Sequence, residues 1–174
     1  MSEARLPRSR WPRSFAFVLV KDFSMMPFTA AIEPLRVANR MAGEQLFKWT
    51  TLSADGAPVR ASNGALVQVD GMLRLVGLAD AVVVCAGVNA YDHCDPDLAA
   101  QLRRVSRLGT MIGSVCSGSI LLADAGLLDG RRCTGHWEDL ESLAENYPAL
   151  DVTKSIFEID GNRFTCSGGT APLD

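Results

Sequence analysis

Three short apolar runs set the framework of this chain. Phe15 to Val20, Ala81 to Cys85 and Met111 to Val115 are rich in β-branched residues and bounded by polar or turn residues. Such runs predict strands buried on both faces of a parallel sheet. Phe28 to Met41 reads as a helix with Leu35, Ala38 and Met41 on one side, and Pro34 must lie in its first turns or kink it. A second helix is signalled at both ends: Asp95 is a good N-cap, Pro96 suits the first helical position, and Gly109 is a stop. Leu98, Leu102, Val105 and Leu108 form its apolar stripe.

Shorter strands are expected at Lys48 to Ser53 and Leu66 to Val69, connected through the turn pairs Asp55-Gly56 and Asn63-Gly64. Further on come a helix around Trp137 to Asn146 and strands at Ser155 to Ile159 and Arg163 to Cys166. Asp160-Gly161-Asn162 turns the last two into a hairpin. Strands alternating with helices imply an α/β sandwich with a mostly parallel sheet. The last strand is followed by Gly-Gly and Pro172-Leu173-Asp174, with no helix to cover the sheet there, so a further C-terminal region is expected.

Length fits one domain with a full hydrophobic core. The formal net charge of −3 and a sequence pI near 5.4 do not resemble the basic face of a nucleic-acid-binding domain. DNA contact, if any, is therefore expected from a part outside these residues. The five cysteines, Cys85, Cys94, Cys116, Cys133 and Cys166, show no CxxC spacing, and His93 and His136 are the only histidines. That pattern suggests reduced thiols in a cytoplasmic protein, with no disulfide framework, metal or cofactor. No apolar run approaches a membrane span. Residues 1–13, rich in arginine and proline, read as a flexible tail, and residues 14–174 as the domain.

The most informative stretch is Thr110 to Leu128, TMIGSVCSGSILLADAGLL. A buried strand runs into Cys116, and Ser117-Gly118-Ser119 opens an apolar helix, the arrangement of a nucleophile elbow with cysteine in place of serine. The tip lies at the carboxyl edge of the sheet, where open α/β sheets bind ligands. The following helix N-terminus is expected to lower the thiol pKa and to attract an anion. His136 with Trp137 forms a second candidate cluster. Glu33, a carboxylate in an apolar segment, is a third, since it must be paired or face a pocket.

GSVCSGSILLADAGLLDGRRCTGHW resembles the signature of ThiJ/PfpI-like domains, in the variant fused to AraC-type helix-turn-helix regulators. FSMMPFTAAIEPLRVANRMAG and RFTCSGGTAPLD resemble the subgroup that regulates choline, glycine betaine, carnitine and arginine catabolism. The likeness runs from Phe15 to Asp174. It implies a flavodoxin-like sheet similar to the class I glutamine amidotransferases, a homodimeric sensor of a small nitrogenous effector, and a DNA-binding domain beyond Asp174. His136 matches the histidine near the elbow cysteine. Ala86-Gly87 resembles the small pair whose backbone N–H faces that cysteine.

The enzymes of the family carry a glutamate four residues before the proline of the first helix, and this chain has Ala30 there. With the acid missing, the reading is a non-catalytic effector-binding domain. Cys116, Ser117, Gly118, His136, Trp137, Glu33, Ala86 and Gly87 are its candidate ligand contacts. The alternatives are a stand-alone cysteine-dependent enzyme (glyoxalase, hydratase or amidase) and a redox sensor acting through Cys116. A quaternary ammonium ligand would need an aromatic face, for which Trp49, Trp137, Tyr91 and Phe28 are candidates.

Overall fold

The computed structural model describes residues 11–173 apart from 76 and 78. The expected flexible tail falls mostly outside them, but Arg13 belongs to the sheet. Its carbonyl accepts from Lys48 N at 2.8 Å, and its own N–H donates to Asp80 Oδ2 at 2.9 Å.

In chain order the elements are β1 (Ser14–Leu19), α1 (Met25–Ala42), β2 (Lys48–Ser53), β3 (Val59–Arg60), β4 (Leu66–Val67), β5 (Gly71–Met72), β6 (Ala81–Cys85), α2 (Pro96–Arg107), β7 (Met111–Val115), α3 (Gly118–Asp124), β8 (Arg132–Cys133), α4 (Leu140–Asn146), β9 (Asp151–Val152), β10 (Phe157–Asp160) and β11 (Arg163–Cys166). The main sheet has seven strands in the order β10-β11-β7-β6-β1-β2-β5. Every neighbouring pair is parallel except the β10–β11 hairpin. The fold class is the expected mostly parallel α/β sheet with helices. Chain direction across the sheet reverses between β1 and β6, the switch point at which such folds open a crevice.

The three framework strands lie at the centre because nothing in them needs water: all five residues of β6 are buried. On one face, Val18, Val82, Val84 and Ile112 pack with Leu98 and Leu102 of α2 and Ile120 to Leu122 of α3. On the other, Phe17, Leu19, Val83, Cys85 and Val115 pack with Phe23 and Phe28. Phe28 stands edge-on to both Phe17 and Phe23.

Several sequence expectations need correction. Helix α1 begins three residues earlier than expected and holds Pro34 in its interior. Pro34 has no N–H to offer the carbonyl of Ala30, so the helix gives up that one bond within its length. The buried residues of α1 are Pro27, Phe28 and Ala30, whereas Met41 is 84% exposed. Leu108 caps α2 and is exposed, so the stripe of that helix ends at Val105. Leu66–Val67 pairs with Val59–Arg60 in a separate two-stranded hairpin, and Trp137 to Asp139 form a turn before α4. No helix among the described residues is long and apolar enough to cross a membrane.

Candidate functional site

Cys116 ends β7 with φ of +58°, in the left-handed region that a side chain enters only when its surroundings hold it there. Two glycines permit the turn. A Cβ on Gly118 would run into the carbonyl oxygen of Val84 and lie 3.0 Å from Ser114 Cβ, so only glycine lets α3 start against β6. Gly168, after β11, presses on both candidate side chains: a Cβ there would lie 3.4 Å from Cys116 Sγ and 3.1 Å from His136 Nε2. The Cys116 N–H donates to the carbonyls of Cys166 and Ser167 at 3.1 and 3.4 Å, tying the elbow to β11.

Beneath the elbow runs a chain of buried hydroxyls. Ser114 Oγ and Ser119 Oγ lie 3.0 Å apart, and Ser119 donates to the carbonyl of Thr134 at 2.6 Å. The Thr134 N–H donates to Thr165 Oγ1, and its hydroxyl donates to the carbonyl of Ser155. These bonds fix the segment that carries His136. Satisfied networks of this kind hold one geometry.

The thiol itself is closed in, at 2% exposure. It donates to Ser24 Oγ at 3.7 Å and lies 3.9 Å from Ser117 Oγ. Ser24, just before α1, thus offers the thiol a neutral hydroxyl. Burial pushes the Cys116 pKa up; hydrogen bonding with Ser24 and Ser117 acts in the opposite direction, and the nearby charge of Asp139 adds to the rise. The expectation of a lowered thiol pKa is therefore reversed, because desolvation is the largest influence on it.

His136 comes close to the elbow but is not a hydrogen-bond partner of the thiol among the described residues. Its Nδ1 accepts from Glu138 N at 3.4 Å and lies 3.7 Å from Glu138 Oε2. Trp137 is 64% exposed, with its ring centroid 3.8 Å from that of His136. The two rings form an aromatic ledge at the mouth of the cluster.

Ala86-Gly87 packs against the segment that leads into α1. The carbonyl of Ala86 accepts from Ser24 N at 3.4 Å, and Gly87 bridges Phe23. A Cβ on Gly87 would lie 2.6 Å from Ser24 N, so the glycine admits the chain that delivers Ser24 to the cysteine. Glu33 is not brought to the site. It is half-exposed on α1 and paired with Arg36 at 2.6 Å, and the Arg36 hydrogen bond holds its pKa below the usual value. Ala31, Ile32 and Leu35 beside it pack against the core, but Glu33 itself lies on the exposed side of the helix, where Arg36 and water meet its charge. Among the aromatic candidates, Phe28 is buried and Trp49 packs against the core, Tyr91 is bonded to Ser142, and Trp137 remains open.

The residue missed by sequence reasoning is Asp139. Its Oδ2 is buried without a hydrogen-bond partner among the described residues, and its charge reaches Cys116. Its position three residues after His136 offered a signal, but an acid in the polar run Glu138-Asp139 reads as solvated.

The fold and the elbow define a known class, and the chain belongs to the DJ-1/PfpI family, whose pattern matches residues 13–174. The HTH-type transcriptional regulator CdhR of Pseudomonas aeruginosa is 48% identical over 162 residues, covering 93% of this chain and 48% of that protein. The HTH-type transcriptional regulator GbdR of the same species is 42% identical over 168 residues, 97% of this chain and 46% of that protein. The chain thus spans about half the length of these curated relatives. The crystal structure of an AraC family transcriptional regulator from Pseudomonas putida superposes with a TM-score of 0.80 at 29% identity, covering 93% of this chain and 87% of that one.

Proposed function

We propose that this chain is the effector-binding domain of an AraC-type transcription regulator and performs no catalysis. The observation that carries this reading is the state of Cys116: buried, with a raised pKa, and bonded to serine hydroxyls where a nucleophile needs a base. Its relatives CdhR and GbdR are helix-turn-helix regulators about twice as long, which supports DNA contact through a region beyond these residues.

The effector is a small nitrogenous cation received at the mouth of the elbow. Trp137 offers an open aromatic face, and the unpartnered oxygen of Asp139 lacks a positive partner. Cys116, Ser117, Gly118 and His136 form the floor, with Ala86 and Gly87 behind Ser24. Ligand binding shifts the equilibrium between two forms of a homodimer by its differential affinity for them. The exposed stripe of Met26, Val37 and Met41 on α1 suits contact with a second copy.

The test is calorimetry with quaternary ammonium and guanidinium metabolites, run beside turnover assays on dicarbonyls and isonitriles. The expected result is binding that weakens at least about tenfold in Trp137→Ala and Asp139→Asn but less than that in Cys116→Ser. Turnover that disappears in Cys116→Ser would replace this reading with the enzyme.

A further inference from the structure

A second opening lies along the same edge of the sheet, away from Cys116. It is a cleft of about 640 Å³ over the carboxyl ends of β1 and β2. Its floor is apolar, from Val18, Leu19, Val20 and Leu98. One wall is the β3–β4 hairpin with Arg60, and the opposite wall is the segment leading into α2, with Asp92, His93 and Asp95. Lys21 stands at the end of β1 between them.

The charges divide unevenly between used and unused groups. Asp55 is occupied by Ala57 N and Ser53 Oγ, and Asp95 caps α2 through Asp97 N. The side chains of Lys21 and Asp92, by contrast, have no hydrogen-bond or ion-pair partner among the described residues. Arg60 commits one nitrogen to the Gly64 carbonyl and keeps its other donors. His93 Nε2 is buried without a hydrogen bond but lies 3.5 Å from Asp22 Oδ2, an ion-pair contact, so it is not among the unused groups.

We infer that this cleft is a second ligand site, for a small amino-acid-like zwitterion whose carboxylate meets Lys21 and Arg60 and whose amino group meets Asp92. A simple anion would face Asp55, Asp92 and Asp95, and a simple cation would face Lys21 and Arg60. Only a molecule carrying both charges satisfies both walls, and the apolar floor accepts the carbon chain between them. The site extends the sensing role proposed above, because one turn joins it to the elbow. Asp22 N donates to the Arg60 carbonyl at 2.9 Å, Phe23 N donates to the Val20 carbonyl at 3.0 Å, and Ser24 next to them touches Cys116. Asp22 itself is left-handed, with φ of +61°, so this turn is held in one conformation by its contacts.

The experiment screens the common amino acids and 4-aminobutyrate by thermal shift and calorimetry, with butyrate and butylamine as one-charge controls. At least one zwitterion is expected to bind, with both controls about tenfold weaker or more. That affinity falls about tenfold in Lys21→Ala and in Asp92→Asn and stays within about twofold in Trp137→Ala. Saturating zwitterion also changes the alkylation rate of Cys116 by iodoacetamide. Failure of every zwitterion to bind at about 10 mM, or binding that survives the Lys21→Ala/Asp92→Asn double variant, overturns the cleft. If binding is instead lost in Trp137→Ala and Asp139→Asn, the ligand belongs to the elbow: the second site falls and the sensor reading stands. Both cleft substitutions are of exposed side chains, so loss of fold does not confuse the result.

Discussion

The two edges of the main sheet are built to opposite standards. At the amino edge, polar groups are paired. Asp80 accepts from Arg13 N, Ser14 N and Ser14 Oγ at 2.9, 2.8 and 2.8 Å, and its own N–H is received by Ser14 Oγ. At the carboxyl edge, Asp22, Asn89 and Cys116, after β1, β6 and β7, are the non-glycine residues of positive φ among those described. Of the three buried polar atoms without hydrogen bonds among the described residues, His93 Nε2 and Asp139 Oδ2 lie there as well, and the third, Gln101 Oε1, lies within α2. Strain and unmet polarity each cost on the order of 1–3 kcal/mol. All of the strain and two of the three unmet atoms thus gather on the edge where we propose recognition, while the amino edge holds the strands in register.

The largest expected effect tests whether the strained edge is nonetheless tightly packed. Gly118→Ala forces a methyl group into the Val84 carbonyl, a backbone atom that cannot step aside. It should cost about 3 kcal/mol in urea unfolding, at the upper end for overpacking. A loss below about 1 kcal/mol would mean that the elbow yields and is not rigidly set.

Next comes the amino edge. Asp80→Ala leaves two N–H groups without their acceptor and should cost about 1–2 kcal/mol after allowance for its exposure, with no change in ligand affinity. Hydrogen bonds from Arg13 and Ser14 lower the Asp80 pKa. Its stabilising contribution is therefore complete above the unfolded carboxyl value near 3.8 and disappears as pH falls through the lower folded value. Urea midpoints measured from neutral to strongly acid pH should converge for wild type and variant at the acid end. Parallel curves would remove Asp80 from that role.

The smallest effects belong to substitutions that leave the framework alone. Asp139→Asn should leave the unfolding midpoint unchanged or raise it, since it discharges a buried oxygen without a partner, while reducing affinity for a cationic effector. It should also lower the pH at which Cys116 becomes reactive to iodoacetamide, because the Asp139 charge contributes to the raised thiol pKa. Glu33→Gln should alter neither stability nor binding measurably, as expected for an exposed ion pair.

The same contrast explains what the sequence could say. The central strands, the N-cap of α2 and the Cys116 elbow were legible because each depends on local chemistry: β-branched runs, an Asp-Pro start, a small-residue turn. The family resemblance added the overall topology and the proximity of His136. Asp139 and Ser24 escaped because their importance comes from what the fold brings beside them, and Ser24 meets Cys116 across 92 residues of sequence. Glu33 was misjudged for the converse reason. Ala31, Ile32 and Leu35 beside it do pack against the core, but an acid a step round the helix from them can face water and pair with Arg36.

The dependence of the elbow on β11 also orders the history of each molecule. The Cys116 N–H is held by the carbonyls of Cys166 and Ser167, and Gly168 closes over the thiol and His136. On the ribosome, β1, β6 and β7 emerge and can pair while those residues are still being made. Through that interval the future binding centre is an open strand end with an accessible cysteine. The elbow is completed only when the strand made last among these docks beside β7, so an arrested or nicked chain lacking β11 would retain much of the sheet but not the closed elbow.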